Sequence, residues 1–221
     1  GYLTFKEQLS KEQLSKEQLY ENQTGNKWDR RERIEIYKEL SAANISQYSS
    51  LNNKKVVVTA QPESYLGKNN YSINPLSGIS NSRTISCNEN GYYSIYQSDR
   101  YGFNNPNGEW DKKEIEYLLV GDSFTHSSCV NRPNDIGSVL RTLSNKSVLN
   151  LAQRGNGPLI EYATLREYLD KNVKKILWIY FENNDLENLK SELKNNILIN
   201  YFNDNNFTQN LKFKQNDIDS L

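Results

Sequence analysis

The sequence has 221 residues, with 27 basic and 27 acidic side chains and a formal net charge of zero. A nucleic-acid-binding domain normally shows a clustered basic face, and the interspersed charges here argue against that class. Hydrophobic residues make up 36% of the chain and the mean hydropathy is -0.83, which is low for a compact enzyme. The length is sufficient for one α/β domain with an extension.

The chain starts with Gly1 and contains no Met, so we expect a mature form or a fragment. It contains no run of about 18 apolar residues and no signal peptide. We leave open a membrane anchor upstream of residue 1, and with it an extracytoplasmic, membrane-anchored location in a bacterium. With one His and two Cys, a zinc site is disfavoured, and we expect no cofactor.

The first 54 residues are predicted to form a helical, low-complexity N-terminal extension. Residues 6–19 repeat Lys-Glu-Gln-Leu-Ser almost three times, and the period of five residues matches neither the helical nor the heptad repeat. Lys, Glu, Gln and Leu are good helix formers, so we expect a solvated spacer that is helical or disordered. A helix that binds a partner is the alternative.

A second helix is predicted over Asp29–Leu40. Its apolar residues Ile34, Tyr37 and Leu40 recur at helical spacing, and Asp29 is a candidate N-cap. We expect these apolar side chains to dock the helix on the rest of the chain.

Residues 55–221 are predicted to form one α/β domain in three parts. Residues 55–114 are a loop-rich lead-in, in which KVVVTA and YYSIYQ are short strands between turns rich in Gly, Pro, Ser and Asn. Residues 115–185 form the α/β core, and residues 186–221 form a polar helical insertion.

Apolar strand candidates alternate with helical segments in the core. The predicted strands are Ile115–Val120, Ser147–Ala152 and Lys175–Phe181, and the predicted helices lie near Asp135–Leu143 and Leu159–Leu169. Such alternation indicates right-handed crossovers and a parallel sheet with flanking helices. Three strands are few for this architecture, so we expect more sheet elsewhere and a domain that is incomplete at its C-terminus.

A polar cluster follows each predicted core strand. The clusters are Gly121-Asp122-Ser123, Gly155-Asn156-Gly157 and Asn183-Asn184-Asp185. Because functional groups gather beyond the carboxyl ends of parallel strands, we expect the three to converge. Ser123 suits either a nucleophile or a helix N-cap, the Gly155 N–H can face an oxyanion, and Asn184 offers an amide donor. A plain turn at Gly155 and a chance Asn at position 184 are the alternatives.

Taken together, the clusters resemble the SGNH (GDSL) hydrolases in order, spacing and secondary-structure context. The resemblance implies a flavodoxin-like fold in which Ser123 is the nucleophile and Gly155 and Asn184 are the oxyanion donors. Their neighbours are secondary site candidates: Asp122, Asn156 and Asp185. Glu182 occupies the position of a family Gly, which bears on the local backbone geometry.

Longer phrases extend the resemblance over roughly residues 78–221. SDRYGFNNPNGEWD, LLVGDSFTHSSCV, NGPLIEYATLREYL and ILWIYFENNDLENL are similar to a bacterial SGNH subgroup found near polysaccharide-modification enzymes. The resemblance implies ester chemistry on an O-acylated or O-acetylated glycan, by hydrolysis or acyl transfer. The partner would then be a small-molecule or glycan ester, with no nucleic acid.

The general base is the missing part of this pattern. A serine hydroxyl needs a neighbouring base, which the family takes from an Asp-x-x-His block that this sequence lacks. The single His is His126, one helical turn after Ser123, where the positive helix end would keep its imidazole neutral. Side chains on one turn rarely align as nucleophile and base, so His126 is alternatively a structural residue at the rim or a neighbour of the substrate or the oxyanion.

Two cysteines, Cys87 and Cys129, complete the candidate residues. A disulfide would form only in an oxidising compartment, and we expect two free buried thiols.

Two functions of different classes follow from the sequence. The first is a serine esterase or acyltransferase, and the second is a non-catalytic SGNH-like module that binds a glycan or a protein. A nucleotide-binding doubly wound fold is disfavoured, because neither GxGxxG nor GxxxxGK[ST] follows the first core strand.

Overall fold

The computed structural model describes residues 5–46, 55–58, 62 and 73–221, with the backbone alone at residues 5–14 and 44–46. Residues 47–54 of the predicted extension lie outside the described residues, and so do Thr59 and Ala60 of the first predicted strand.

The described residues form helices and short strands, which alternate only in the core from residue 115 to residue 192. The helices are α1 (Phe5–Thr24), α2 (Arg33–Ser46), α3 (Ser123–His126), α4 (Ile136–Ser144), α5 (Pro158–Tyr168), α6 (Asp185–Glu192), α7 (Asn196–Asn203) and α8 (Gln215–Asp219). The strands are β1 (Val56–Val58), β2 (Arg83–Ile85), β3 (Ile95–Gln97), β4 (Ile115–Val120), β5 (Val148–Asn150) and β6 (Val173–Trp178). The α/β class is therefore confirmed. Within the described residues, no helix has both the length and the apolar character needed to cross a membrane.

The core sheet has the strand order β5-β4-β6, and both pairs are parallel as predicted. β4 has the predicted bounds, β5 is shorter at both ends, and β6 starts and ends earlier than expected. The central strand β4 is buried at Leu118, whereas β6 lies at an edge of the sheet and leaves Ile176 and Trp178 42% and 44% exposed. β4 is therefore the buried centre of this sheet, and β6 is its exposed edge among the described strands.

A second sheet precedes the core and has the order β1-β2-β3. β1 pairs with β2 in parallel, and β2 pairs with β3 antiparallel. The sequence analysis missed β2, because its three residues Arg-Thr-Ile carry too little alternation to be recognised. The strand predicted from YYSIYQ is limited to Ile95–Gln97.

Helix α1 covers the repeat, so the helical form of the predicted spacer is the observed one. Leu19 is 57% exposed, as expected for a solvated helix whose period gives no apolar stripe. Its last turns are held by Tyr20, whose ring packs edge to face on Trp28 with 5.7 Å between centroids. A Cβ at Gly91 would lie 2.6 Å from the Tyr20 ring, so this glycine allows the end of α1 to pack on the lead-in.

Helix α2 starts later than predicted, and Asp29 is not its N-cap. The Asp29 carboxylate instead accepts hydrogen bonds from the backbone N–H of Arg31 (3.1 Å) and from its guanidinium. The first turn is closed by Glu35, whose carboxylate accepts the backbone N–H of Glu32 at 2.7 Å. This is the glutamate half of a capping box, and it starts the helix after Glu32 and not after Asp29.

The predicted docking face of α2 is wrong at Ile34 and Tyr37, and it is right at Leu40, which packs against a core cluster. Ile34 is 49% exposed and Tyr37 is exposed, whereas Ile36 is 3% exposed. Ile36 and Leu40 are separated by four residues and therefore share a face. The cluster that they join consists of Ile36, Val56 and Ile85, with Leu40, Tyr93 and Ile95 packed against it.

The loop phrase from residue 98 to residue 111 is organised by the buried carboxylate of Asp99. Its oxygens accept hydrogen bonds from Tyr101 N, Phe103 N, Asn105 Nδ2 and Trp110 Nε1 at 2.7–3.0 Å. Asn105 Nδ2 also donates to Asn150 O in β5 at 3.0 Å. This loop therefore fastens the lead-in to the core sheet, which explains its density of Asn, Asp and aromatic residues.

The C-terminal helices are fastened to α5 by Glu167. Its carboxylate accepts hydrogen bonds from the Tyr201 hydroxyl, the Thr208 hydroxyl, Gln209 N and Leu211 N. Four donors on one buried carboxylate satisfy it without a cation. The insertion from residue 186 therefore packs on the core through a specific polar anchor.

Candidate functional site

The three polar clusters lie at the same edge of the core sheet. β4, β5 and β6 are parallel, so the segments that follow them emerge from the same edge. Residues 121–123 follow the central strand β4, and the other two clusters follow the strands on either side of it.

Gly121 is required by close packing at the end of β4. A Cβ on this residue would lie 2.1 Å from Thr125 Oγ1 and 2.9 Å from Ile179 O. Because the second contact is with backbone, a larger residue would push β4 away from the segment after β6. The glycine of the Gly-Asp-Ser motif thus keeps the two strand ends together.

Asp122 is the N-cap of α3, and its Oδ1 accepts the backbone N–H of Phe124 at 2.8 Å. The alternative that Ser123 serves as the N-cap is therefore wrong, and its hydroxyl is not used in capping. The Phe124 ring stacks on Phe181 with 4.2 Å between centroids, which joins the segments after β4 and β6.

Ser123 and Asn184 meet at one carboxylate oxygen. Ser123 Oγ donates to Asp122 Oδ2 at 3.4 Å, and Asn184 Nδ2 donates to the same oxygen at 3.4 Å. Both contacts are long, and Ser123 is half-buried. The structure therefore brings the predicted nucleophile and the predicted amide donor to the same rim, on either side of Asp122 Oδ2.

The loop after β5 carries the third predicted component. Gly155 has a φ of +74°, a backbone conformation that favours glycine. Its neighbour Arg154 lines the same cleft as Ser123, so the loop borders the nucleophile. Asn156 is fully buried, and neither polar atom of its side chain has a hydrogen-bond partner among the described residues.

Asp185 and Glu182 both lie in the segment that follows β6. Asp185 is buried and its Oδ2 accepts the backbone N–H of Phe181 at 2.6 Å, so it closes the turn and does not contact Ser123. Burial and the charge of Asp122 raise the pKa of Asp185. Glu182 is exposed and is not among the residues with positive φ, so the backbone accommodates its side chain.

His126 is held away from Ser123. Its ring is 1% exposed and packs edge to face on Tyr96, with 5.3 Å between centroids. Nδ1 lies 3.2 Å from Ser128 Oγ, and Nε2 has no hydrogen-bond partner among the described residues. Burial lowers its pKa to about 4, and the charge of Arg154 adds to this. The imidazole is therefore neutral, as predicted, and burial is the first cause.

Sequence reasoning missed a group of buried carboxylates behind the rim. Burial raises the pKa of Glu161 to about 8, although Trp178 Nε1 donates to its Oε2 at 2.5 Å, and the charges of Asp185, Asp122 and Glu192 raise it further. Its other oxygen has no hydrogen-bond partner among the described residues. The available signal was the position of Glu161 within the apolar turn Leu-Ile-Glu-Tyr-Ala of α5.

Glu161→Gln is expected to stabilise the protein at pH 8 and to leave its stability at pH 4 nearly unchanged. The folded pKa of Glu161 is about 8 against about 4.5 when unfolded, so its favourable contribution is present at low pH and is lost as the pH rises through this window. We expect a gain of about 1 kcal/mol or more at pH 8, measured by urea denaturation. Equal gains at both pH values would contradict a protonated Glu161.

A cleft of about 360 Å³ adjoins Ser123. Its apolar wall is formed by Phe124, Val130 and Ile136, and its polar lining includes Ser127, Ser128, Asn134 and Arg154. Sequence analysis did not single out Arg154, although it is a cation directly before the glycine loop.

Cys87 and Cys129 form a disulfide, so the prediction of two free thiols was wrong. Their Cα atoms are 5.1 Å apart. Neighbouring contacts bring the two segments together, since Ser86 Oγ donates to Ser128 O at 2.7 Å and Asn90 Nδ2 donates to Cys129 O at 3.0 Å. Among the described residues, the group of potential metal ligands is Cys87, Glu89 and Cys129, and the disulfide removes both thiolates from it.

The fold and the rim define an α/β protein with a serine and an amide side chain at the carboxyl edge of a parallel sheet. No protein-family model, no curated protein and no solved structure matches this chain.

Proposed function

We propose that this protein is a serine esterase or acyltransferase of the SGNH type that acts on ester-linked acyl groups. One observation carries the proposal: Ser123 Oγ and Asn184 Nδ2 both contact Asp122 Oδ2 at the edge where parallel strands present functional groups. The strand order β5-β4-β6 is also the local order of a flavodoxin-like sheet, with the first strand between the second and third.

The chemistry follows from the roles of these groups. Ser123 Oγ attacks the acyl carbon, its proton passes to a base, and the carbonyl oxygen becomes an oxyanion facing Asn184 Nδ2 and the Gly155 N–H. Collapse of this intermediate breaks the ester bond, and the leaving alcohol takes up the proton. Water or a sugar hydroxyl then attacks the acyl-serine, the bond between the acyl carbon and Ser123 Oγ breaks, and a proton returns to Oγ as a carboxylic acid or a new ester is released.

The described residues offer no efficient general base to remove the proton from Ser123 Oγ. The hydroxyl contacts Asp122 Oδ2 at 3.4 Å, whereas the His126 ring nitrogens do not contact it. A carboxylate is a poorer base than an imidazole at neutral pH. The resemblance implies that an Asp-x-x-His block supplies the imidazole in SGNH enzymes.

The proposed substrate is an O-acetylated glycan, and the resemblance of the longer phrases is the basis for this class. The cleft beside Ser123 supports a small acyl group, since Phe124, Val130 and Ile136 give it an apolar wall. Its serine and asparagine side chains offer hydrogen bonds to sugar hydroxyls.

The burial of His126 favours a second candidate, a non-catalytic module that binds a glycan in the same cleft. Such a module needs the cleft and the polar rim but no base. The two proposals differ in whether Ser123 forms a covalent bond.

Covalent labelling of Ser123 tests the proposal. Prolonged incubation with a fluorophosphonate is expected to add one phosphonyl group to Ser123, located by peptide mass spectrometry and absent from Ser123→Ala. Acetate release from a chemically O-acetylated oligosaccharide tests the substrate class. An adduct on Ser127 or Ser128 would mean that the nucleophile is misassigned. Binding of the oligosaccharide without labelling would favour the module.

A further inference from the structure

Helix α6 connects the two predicted oxyanion donors. Asn184 is its N-cap, yet the Asn184 side chain makes no capping hydrogen bond and its amide instead contacts Asp122. Asn188 and Glu192 follow at successive intervals of four residues, so the three side chains lie along one face of the helix. That face is turned toward the loop that contains Gly155.

Glu192 holds the end of this loop with both carboxylate oxygens. Oε1 accepts the backbone N–H of Gly157 at 2.6 Å, and Oε2 accepts the backbone N–H of Leu159 at 2.9 Å. Leu159 lies in the first turn of α5, where N–H groups have no partner within the helix, and a negative charge is favourable there. Glu192 therefore acts as a cap supplied by another helix.

Asn188 holds the start of the loop. Its Nδ2 donates to Gly155 O at 3.4 Å and to Asn156 O at 3.3 Å. A Cβ at Gly157 would lie 2.7 Å from Asn188 Cβ and 2.8 Å from Glu192 Oε1. The loop thus lies directly on α6, and the glycine at position 157 allows this approach.

Burying the carboxylate of Glu192 costs desolvation free energy, which its hydrogen bonds must offset. Glu192 is 1% exposed, and burial raises its pKa to about 7 although three backbone N–H groups lower it. Its contacts are to backbone, so within the described part of the chain it has no ion pair that would offset desolvation. A glutamine could offer one acceptor oxygen, whereas the loop presents N–H groups to both oxygens.

We propose that Asn188 and Glu192 are positioning residues, through which α6 fixes the Gly155 loop and Asn184 relative to each other as the two sides of one oxyanion hole. This inference rests on the proposed function, because it assigns the two sides to an oxyanion. Beyond the proposed function, the inference states that helix α6 sets the distance between the Gly155 loop and Asn184, together with the strand ends.

Glu192→Gln tests the inference, with Glu187→Gln as the matched control on the exposed side of the same helix. In Glu192→Gln, hydrogen exchange of the Gly157 and Leu159 amides should become at least about tenfold faster. The maximal rate of Ser123 phosphonylation should fall about tenfold, since small displacements of reacting groups are costly. The probe concentration for half-maximal rate should stay the same. Glu187→Gln should change none of these quantities.

Asn188→Ala provides a second variant in case Glu192→Gln does not fold, and it should show the same pattern with a smaller loss of rate. Faster amide exchange with an unchanged phosphonylation rate would overturn the inference, because the contacts would then be purely structural. Unchanged amide exchange would overturn it as well. If wild-type Ser123 did not react at all, the proposed function would fail, and the amide exchange would then report a structural contact alone.

Discussion

Added imidazole should accelerate the hydrolysis of p-nitrophenyl acetate by residues 1–221, and Ser123→Ala should remove that acceleration. His126 is the one histidine of the sequence, and its ring is buried and bonded to Ser128, so Ser123 lacks an imidazole neighbour. Oxyanion donors alone leave a residual acceleration of about 10³–10⁴ over water, and a general base adds about 10²–10⁴. Without imidazole, we therefore expect turnover to stay near that residual level.

His126→Ala is the informative control for this prediction. It should leave both the residual rate and the response to imidazole unchanged, once circular dichroism has shown that the variant is folded. Background hydrolysis by imidazole is measured without protein and subtracted from both the wild type and the Ser123→Ala variant. Robust turnover by the wild type that disappears in His126→Ala would show that His126 is the base and that its ring leaves the buried position.

Removal of the disulfide is expected to destabilise the protein by about 2–4 kcal/mol. Cys87 and Cys129 are 42 residues apart in sequence, so the bond restricts a long loop of the unfolded chain. It also ties the lead-in to the segment that follows α3, next to the cleft of Ser123. The double variant Cys87→Ser, Cys129→Ser should unfold at a lower urea concentration than the oxidised wild type.

Reduction provides the matched control for the disulfide. Dithiothreitol should shift the wild-type urea midpoint toward that of the double variant and should leave the double variant unchanged. If a thiol assay showed complete reduction while the wild-type midpoint stayed constant, the disulfide would not contribute to stability. The hydrogen bonds of Ser86 and Asn90 to the facing segment would then hold it alone.

The elements of the core were predictable because their signals are local. The apolar run Ile115–Val120 is β4 residue for residue, and Asp135 caps α4 by accepting the backbone N–H of Ser138 at 3.0 Å, as a helix near Asp135–Leu143 implies. The chain order of strand, polar cluster and helix then placed Ser123 and Asn184 at one edge. Parallel pairing was enough for that step.

Other features could not be predicted because they depend on contacts between distant parts of the chain. The face of α2 that is buried was misjudged, since Ile34 and Ile36 are equally apolar and the sheet that selects Ile36 is formed by later residues. The first sheet itself was only partly recognised, because β2 has three residues.

The sequence by itself determined the α/β class, the order of the core elements and the positions of the polar clusters, since apolar runs and glycines act over a few residues. The tertiary structure alone decided three other matters. It paired Cys87 with Cys129, it buried His126 against Tyr96, and it seated Glu192 on a loop 35 residues earlier in the chain. Each depends on packing between segments that are far apart in sequence, and burial rather than residue type then sets the ionisation of His126 and Glu192.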